Sequence, residues 1–153
     1  MKPLLALFIL CTLAFGGDYY FQTHHLDQVP LGTMLSSDTQ SMVTKSLRFM
    51  EDIKYKDFDA SAQYSLPEQR GKYDLAALVE GLFKVKPEFL DIQHYEVIST
   101  DLDSQGERAR VHMKANVKLL NTDELKEPEL ILYFKKQSGE WYIDYATSLG
   151  GRK

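Results

Sequence analysis

The chain contains little cysteine, no long basic run and none of the common catalytic motifs. Its single cysteine, Cys11, excludes an intramolecular disulfide. No basic run exceeds two residues, and 22 acidic side chains outnumber 18 basic ones, which argues against nucleic acid and against an anionic lipid surface as partners. The nucleophile-elbow, zinc-protease, phosphate-loop and dinucleotide-binding patterns do not occur. The sequence therefore predicts neither a cofactor nor a metal site.

Charge is also missing from residues 3–17, which form the most apolar segment of the chain. A basic start, a short apolar stretch and small residues at its end are typical of a signal peptide, here with cleavage after Gly16. A membrane-spanning helix needs about 20 residues, so residues 2–21 are also long enough for a retained anchor. The residues expected at the membrane interface of such an anchor are Tyr19, Tyr20 and Phe21.

Both interpretations of this segment place the remaining chain outside the cytoplasm. Lys2 is the only basic residue before His24, so the positive-inside rule keeps the N-terminus in the cytoplasm. We expect a signal anchor or signal peptide over residues 1–21 and a linker over residues 22–36. A single α+β domain over residues 37–148 and a tail over residues 149–153 complete the predicted organisation.

Three helices are predicted at the start of the domain. Ser37 and Gln40 have the spacing of a capping box, which predicts Ser37 as the N-cap of the first helix. The apolar stripe of this helix consists of Met42, Val43, Leu47, Met50 and Ile53. Residues 57–64 indicate a short second helix. Asp74 is a predicted N-cap for a third helix, which ends before Pro87.

After Pro87 the apolar period changes from that of a helix to that of a strand. Four antiparallel strands are predicted, over residues 89–100, 108–119, 129–136 and 140–148. Ser138 and Gly139 have the composition of a tight hairpin turn. In the predicted strand phase, Phe134 and Trp141 point into the core.

Three segments resemble the nuclear transport factor 2-like superfamily, to which ketosteroid isomerase belongs. Residues 49–58 resemble the end of its first helix, where Lys56 stands in place of the usual glycine. Residues 106–111 resemble its G-x-x-A-x-V strand entry, and residues 138–144 resemble its closing G-x-W-x-I strand. The resemblance covers about residues 37–148. It implies three N-terminal helices packed in a curved four-stranded sheet, a cone, here preceded by one apolar membrane helix.

The resemblance also implies where in the fold a site would lie and in which compartment of a bacterial cell the domain is found. Enzymes of the superfamily place ionisable side chains inside the cone, and the candidates for such a pocket here are His94, Tyr95 and Asp144. Tyr133 and Tyr142 are candidates for a protein interface, because a tyrosine ring is apolar along its body and polar at its tip. Similar domains are exported or anchored in bacteria, which implies the inner membrane, with the domain in the periplasm.

Three functions follow as hypotheses. The first is a non-enzymatic accessory module, anchored through residues 2–21, that docks on a larger membrane protein complex or on a second copy of itself. An alternative is a secreted domain that binds a small apolar ligand in its cone after signal cleavage. A third is an isomerase, dehydratase or hydrolase built on the pocket candidates.

Overall fold

The computed structural model describes residues 35–150. The predicted signal or anchor with Tyr19, Tyr20 and Phe21, nearly all of the linker and the last three residues of the tail lie outside the described residues. Within the described range, no helix combines the length and apolarity that a membrane crossing requires.

The described chain contains four α-helices and two short 3-10 helices. The α-helices are α1 (Ser37–Lys54), α2 (Phe58–Ala62), α3 (Leu75–Phe83) and α4 (Tyr145–Gly150), and the 3-10 helices cover Pro67–Gln69 and Pro87–Phe89. The predicted cap of α1 is wrong by one residue, because Ser36 keeps an extended backbone and its hydroxyl accepts from the Thr39 amide at 3.2 Å. The predicted cap of α3 is confirmed, since Asp74 Oδ1 accepts from the Ala76 amide at 2.9 Å.

An antiparallel sheet follows the first three helices and curls into a half-barrel. Its strands are β1 (Leu90–Leu102), β2 (Arg108–Leu119), β3 (Leu125–Lys126), β4 (Glu129–Gln137) and β5 (Glu140–Ile143). The long strands lie in the order β1-β2-β4-β5, and the two-residue β3 pairs with the end of β2. The predicted α+β class with a curved four-stranded sheet is therefore confirmed, with β3 and α4 as additional elements.

The last predicted strand, over residues 140–148, is only half correct. Strand β5 ends at Ile143, and α4 begins at Tyr145. Asp144 causes this change, because its carboxylate accepts from the Thr147 amide at 3.3 Å and its carbonyl accepts from the Ser148 amide at 3.0 Å. These bonds cap the first turn of a helix.

The two faces of the sheet have different environments. We call the face that bears Val111, Leu132 and Trp141 the inner face, and the opposite face the outer face. The inner-face residues of β2 and β4 form the core with apolar residues of α1 and α3. Phe134 and Trp141 are 2% and 1% exposed, which confirms their predicted burial. The helices thus cover the inner face.

Candidate functional site

A β-bulge in β1 separates two of the predicted pocket residues. The pairing of β1 with β2 shifts between Ile92 and His94, so His94 lies opposite Asn116 on the outer face. The next residue, Tyr95, lies opposite Ala115 on the inner face. His94 does not continue the inward phase of Leu90 and Ile92, because the bulge inserts one residue and exchanges the faces that follow it.

Tyr95 connects the sheet to α1. Its phenol donates a hydrogen bond to Glu51 Oε2. Burial, together with this carboxylate, raises the pKa of Tyr95, so the phenol stays protonated and remains a donor. Tyr95 therefore holds the end of α1 against β1.

Asp144, the third pocket candidate, belongs to a hydrogen-bond network at the start of α4. Its Oδ1 accepts from Gln69 Nε2 at 2.8 Å, while Gln69 Oε1 accepts from the Tyr145 amide at 2.8 Å. Burial on its own would raise the pKa of Asp144, but the hydrogen bonds from Gln69 and Thr147 outweigh it and lower that pKa. Across residues 35–150, no hydrogen bond or ion pair joins any two of the three candidates. A pocket shared by them stays a prediction.

The two interface candidates lie on the outer face of neighbouring strands. Tyr133 of β4 is opposite Arg110 of β2, and Tyr142 of β5 is opposite Lys135 of β4. This register makes the two tyrosines diagonal neighbours, about 7–8 Å apart. Lys45 of α1 places its Nζ 5.1 Å from the centroid of the Tyr142 ring. Both half-buried rings are therefore flanked by basic side chains.

A cavity of about 440 Å³ opens beside Tyr133. We call it the outer-face cavity, although the core residues Leu82, Met113 and Leu130 and Ser148 of α4 also line it. The rest of its lining consists of Ile98, Ser99, His112, Glu129, Ile131 and Tyr133. A second bulge, between Val97 and Ser99, coincides with Ile98, whose side chain is 54% exposed. Sequence reasoning missed this cavity. The available signal was the unbroken apolar run over residues 130–134, which puts Ile131 and Tyr133 on the face opposite the core.

Most of the charged groups near the outer-face cavity have partners of their own, and one carboxylate among them also contacts a histidine. His112 Nε2 lies 3.1 Å from Asp101 Oδ2, and Arg110 Nη2 lies 3.8 Å from the same oxygen. Lys114 is opposite Glu129 in the β2–β4 register but binds Glu127 Oε2 at 2.7 Å. Glu129 itself forms no ion pair with the residues between 35 and 150. In the same range, no group of three His, Cys, Asp or Glu side chains could hold a metal ion.

Comparison with protein-family models gives no match to the chain, and comparison with curated proteins gives none either. Function is therefore inferred from the geometry of the outer face and from the apolar N-terminal segment.

Proposed function

We propose that this chain is a non-enzymatic accessory module of the bacterial inner membrane. Residues 2–21 anchor it, with the N-terminus in the cytoplasm, and the periplasmic domain docks on a larger membrane protein complex. The uncharged stretch of residues 3–17 supports the anchor. The curled antiparallel sheet with helices on its inner face supports membership in the nuclear transport factor 2-like superfamily.

The observation that carries the docking proposal is the pair of tyrosines on the outer face. Tyr133 and Tyr142 lie on the side of the sheet that the core does not use, and Tyr133 lines a cavity together with Ile98 and Ile131. Tyrosine is enriched at protein interfaces, where it contributes a large contact area and loses little conformational entropy. A partner that covers this face would bury both rings.

The polar residues expected of an enzyme serve the fold instead. Tyr95 holds α1 against β1, and Asp144 caps α4. The inner-face positions of β2 are apolar from Ala109 to Leu119. Acid–base chemistry needs ionisable groups that converge on one substrate, and these residues diverge.

The length of the linker limits where the partner can lie. Residues 22–36 span at most about 50 Å when fully extended. A domain held by this linker therefore meets partners in the same membrane or close to its surface.

The experiment is native purification of the full-length protein in mild detergent at natural expression, with the mass of the particle measured. We expect a particle larger than the protein with its detergent, and we expect Tyr142→Asp to reduce it to a monomer without changing thermal unfolding. Tyr55→Asp is the matched control, because Tyr55 is 69% exposed at the end of α1. A wild-type protein that purifies as a monomer contradicts the proposal.

The outer-face cavity favours a second candidate function, the binding of a small ligand by a secreted domain. Its volume of about 440 Å³ lies within the usual range of ligand pockets, roughly 300–1,000 Å³. The intact mass of the mature protein separates the two candidates. A mass that begins at Gly17 indicates a cleaved leader and supports secretion, whereas a mass that includes residues 1–16 supports the anchor.

A further inference from the structure

We infer that the outer-face cavity receives an arginine side chain of the docking partner, with its guanidinium on Glu129 and its aliphatic stem along Ile98 and Ile131. Because the occupant belongs to the partner, this inference rests on the proposed function. It adds the chemical group by which the partner is recognised.

The walls of the cavity suit the carbon stem of a long side chain. Ile98 and Ile131 are its accessible aliphatic lining residues, and Tyr133 adds an aromatic ring. Ile98 and Ile131 contribute apolar surface to the outer face, where the residues of β2 itself are charged or polar. Arginine and lysine pack their methylene stems along such surfaces and keep the charged head near polar groups.

The charge among the residues that line the cavity is negative. Glu129 is its only acidic lining residue, and no lysine or arginine lines it. The nearest cross-strand cation, Lys114, is bound to Glu127 at 2.7 Å, and His112 is bound to Asp101 at 3.1 Å. A cationic group at the exposed carboxylate of Glu129 would gain Coulomb energy, whereas an anion would be repelled.

Arginine fits this arrangement better than lysine does. A guanidinium is planar, forms two parallel hydrogen bonds with one carboxylate, and stacks on aromatic rings. Glu129 supplies the carboxylate, and Tyr133 supplies the ring at the same cavity. Arginine and tyrosine are also both enriched among the residues that dominate binding energy at interfaces.

The test is a titration of the full-length protein, labelled with ¹³C in its isoleucine methyl groups, in mild detergent. The probe is Nα-acetyl-L-arginine methylamide, and the control probe is the norleucine analogue, which has a similar stem without the charge. We expect saturable shifts of the Ile98 and Ile131 methyls with the arginine probe, while the buried Ile53 and Ile143 stay unshifted. The norleucine probe should bind about five- to tenfold more weakly.

Three substitutions locate the charge that the probe recognises. Glu129→Gln should abolish the difference between the two probes. Glu124→Gln, which removes the same charge outside the cavity, should preserve it. Glu127→Gln should weaken arginine binding, because it releases Lys114 to pair with Glu129 across the strands.

Equal binding of both probes overturns the inference, as does an unchanged preference in Glu129→Gln when its methyl spectrum shows an intact fold. No partner protein takes part in this titration. Its failure therefore leaves the docking proposal standing, while a monomeric native protein contradicts docking without altering the probe result.

Discussion

The phenol of Tyr145 donates a hydrogen bond of 2.7 Å to the backbone carbonyl of Ser61. Tyr145 is 2% exposed, and its ring centroid lies 6.2 Å from that of Phe49 in α1. Burial raises the pKa of this phenol, so it remains a donor throughout the physiological pH range. One side chain thus connects the start of α4 with both α1 and α2.

This relationship predicts the effect of removing a single oxygen atom. Tyr145→Phe keeps the ring and loses the hydrogen-bond donor, so we expect the free energy of unfolding to fall by about 1 kcal/mol. The cost stays modest because the Ser61 carbonyl also accepts from the Tyr64 amide at 3.3 Å. Urea denaturation measures the change, and Tyr142→Phe on the outer face is the control. A loss no larger than that of the control would show that the Ser61 bond adds no stability.

The backbone of Lys56 predicts a second effect on stability. This residue has φ of 60°, in the left-handed region that favours glycine, and its Nζ donates to the Leu90 carbonyl at 2.9 Å. Both Lys56→Ala and Lys56→Gly lose the side-chain bond, but only glycine also relieves the backbone. We expect the glycine variant to be more stable than the alanine variant by about 1 kcal/mol in urea denaturation. Equal midpoints for the two variants would contradict this.

The helical caps, strands and turns that depend on local chemistry could be predicted from the sequence. Strand β2 has the predicted bounds, and the turn at Ser138 and Gly139 has the positive φ values, 52° and 84°, that its composition indicates. The two bulges in β1 could not be predicted, since inserting one residue changes the face of every side chain after it without changing the composition. The first bulge places His94 on the outer face, whereas unbroken alternation from Leu90 and Ile92 would place it on the inner face.

The end of β5 and the outer-face cavity differ from the prediction for two further reasons, one local and one long-range. The alternation of apolar residues in β5 continues in the sequence past Asp144, which is why the sequence predicts a strand up to residue 148. In the structure the Asp144 side chain bonds nearby amides, which competes with strand pairing and starts a helix. The outer-face cavity depends on long-range register, which brings Ile98 of β1 and Ile131 of β4 to either side of His112. The apolar run over residues 130–134 is the one sequence feature that indicates apolar residues on the outer face.

The carboxyl of Asp52 predicts a specific pH dependence. Burial raises the pKa of Asp52 above 3.8. The hydrogen bond from Tyr64 and the charge of Arg48 lower this pKa, but by less than burial raises it. The folded protein therefore binds this proton more tightly than the unfolded chain does. The stability that Asp52 contributes is fully present below pH 3.8 and is lost as the pH rises through the raised value.

Asp52→Asn removes this titration, so the variant should gain stability relative to wild type between pH 3.5 and pH 7. The quantity to measure is the difference in unfolding free energy between the variant and wild type. Other carboxyls such as Asp38 and Asp144 have lowered pKa values, so they change the pH dependence of each protein's own stability in the opposite direction. Urea midpoints for both proteins at several pH values provide it. A difference that is independent of pH, or that favours wild type at higher pH, would rule out a raised pKa at Asp52.

The proposed anchor predicts the effect of one charge in the N-terminal segment. Leu10 lies within the uncharged residues 3–17, and an arginine near the centre of a membrane span adds roughly 2.5–3.5 kcal/mol to the insertion free energy. We expect Leu10→Arg to be lost from carbonate-washed membranes and Leu10→Ile to be retained. Deletion of residues 1–17 should release the domain as well. Membrane retention of that truncated protein would mean that the domain, and not the leader, holds the chain on the membrane.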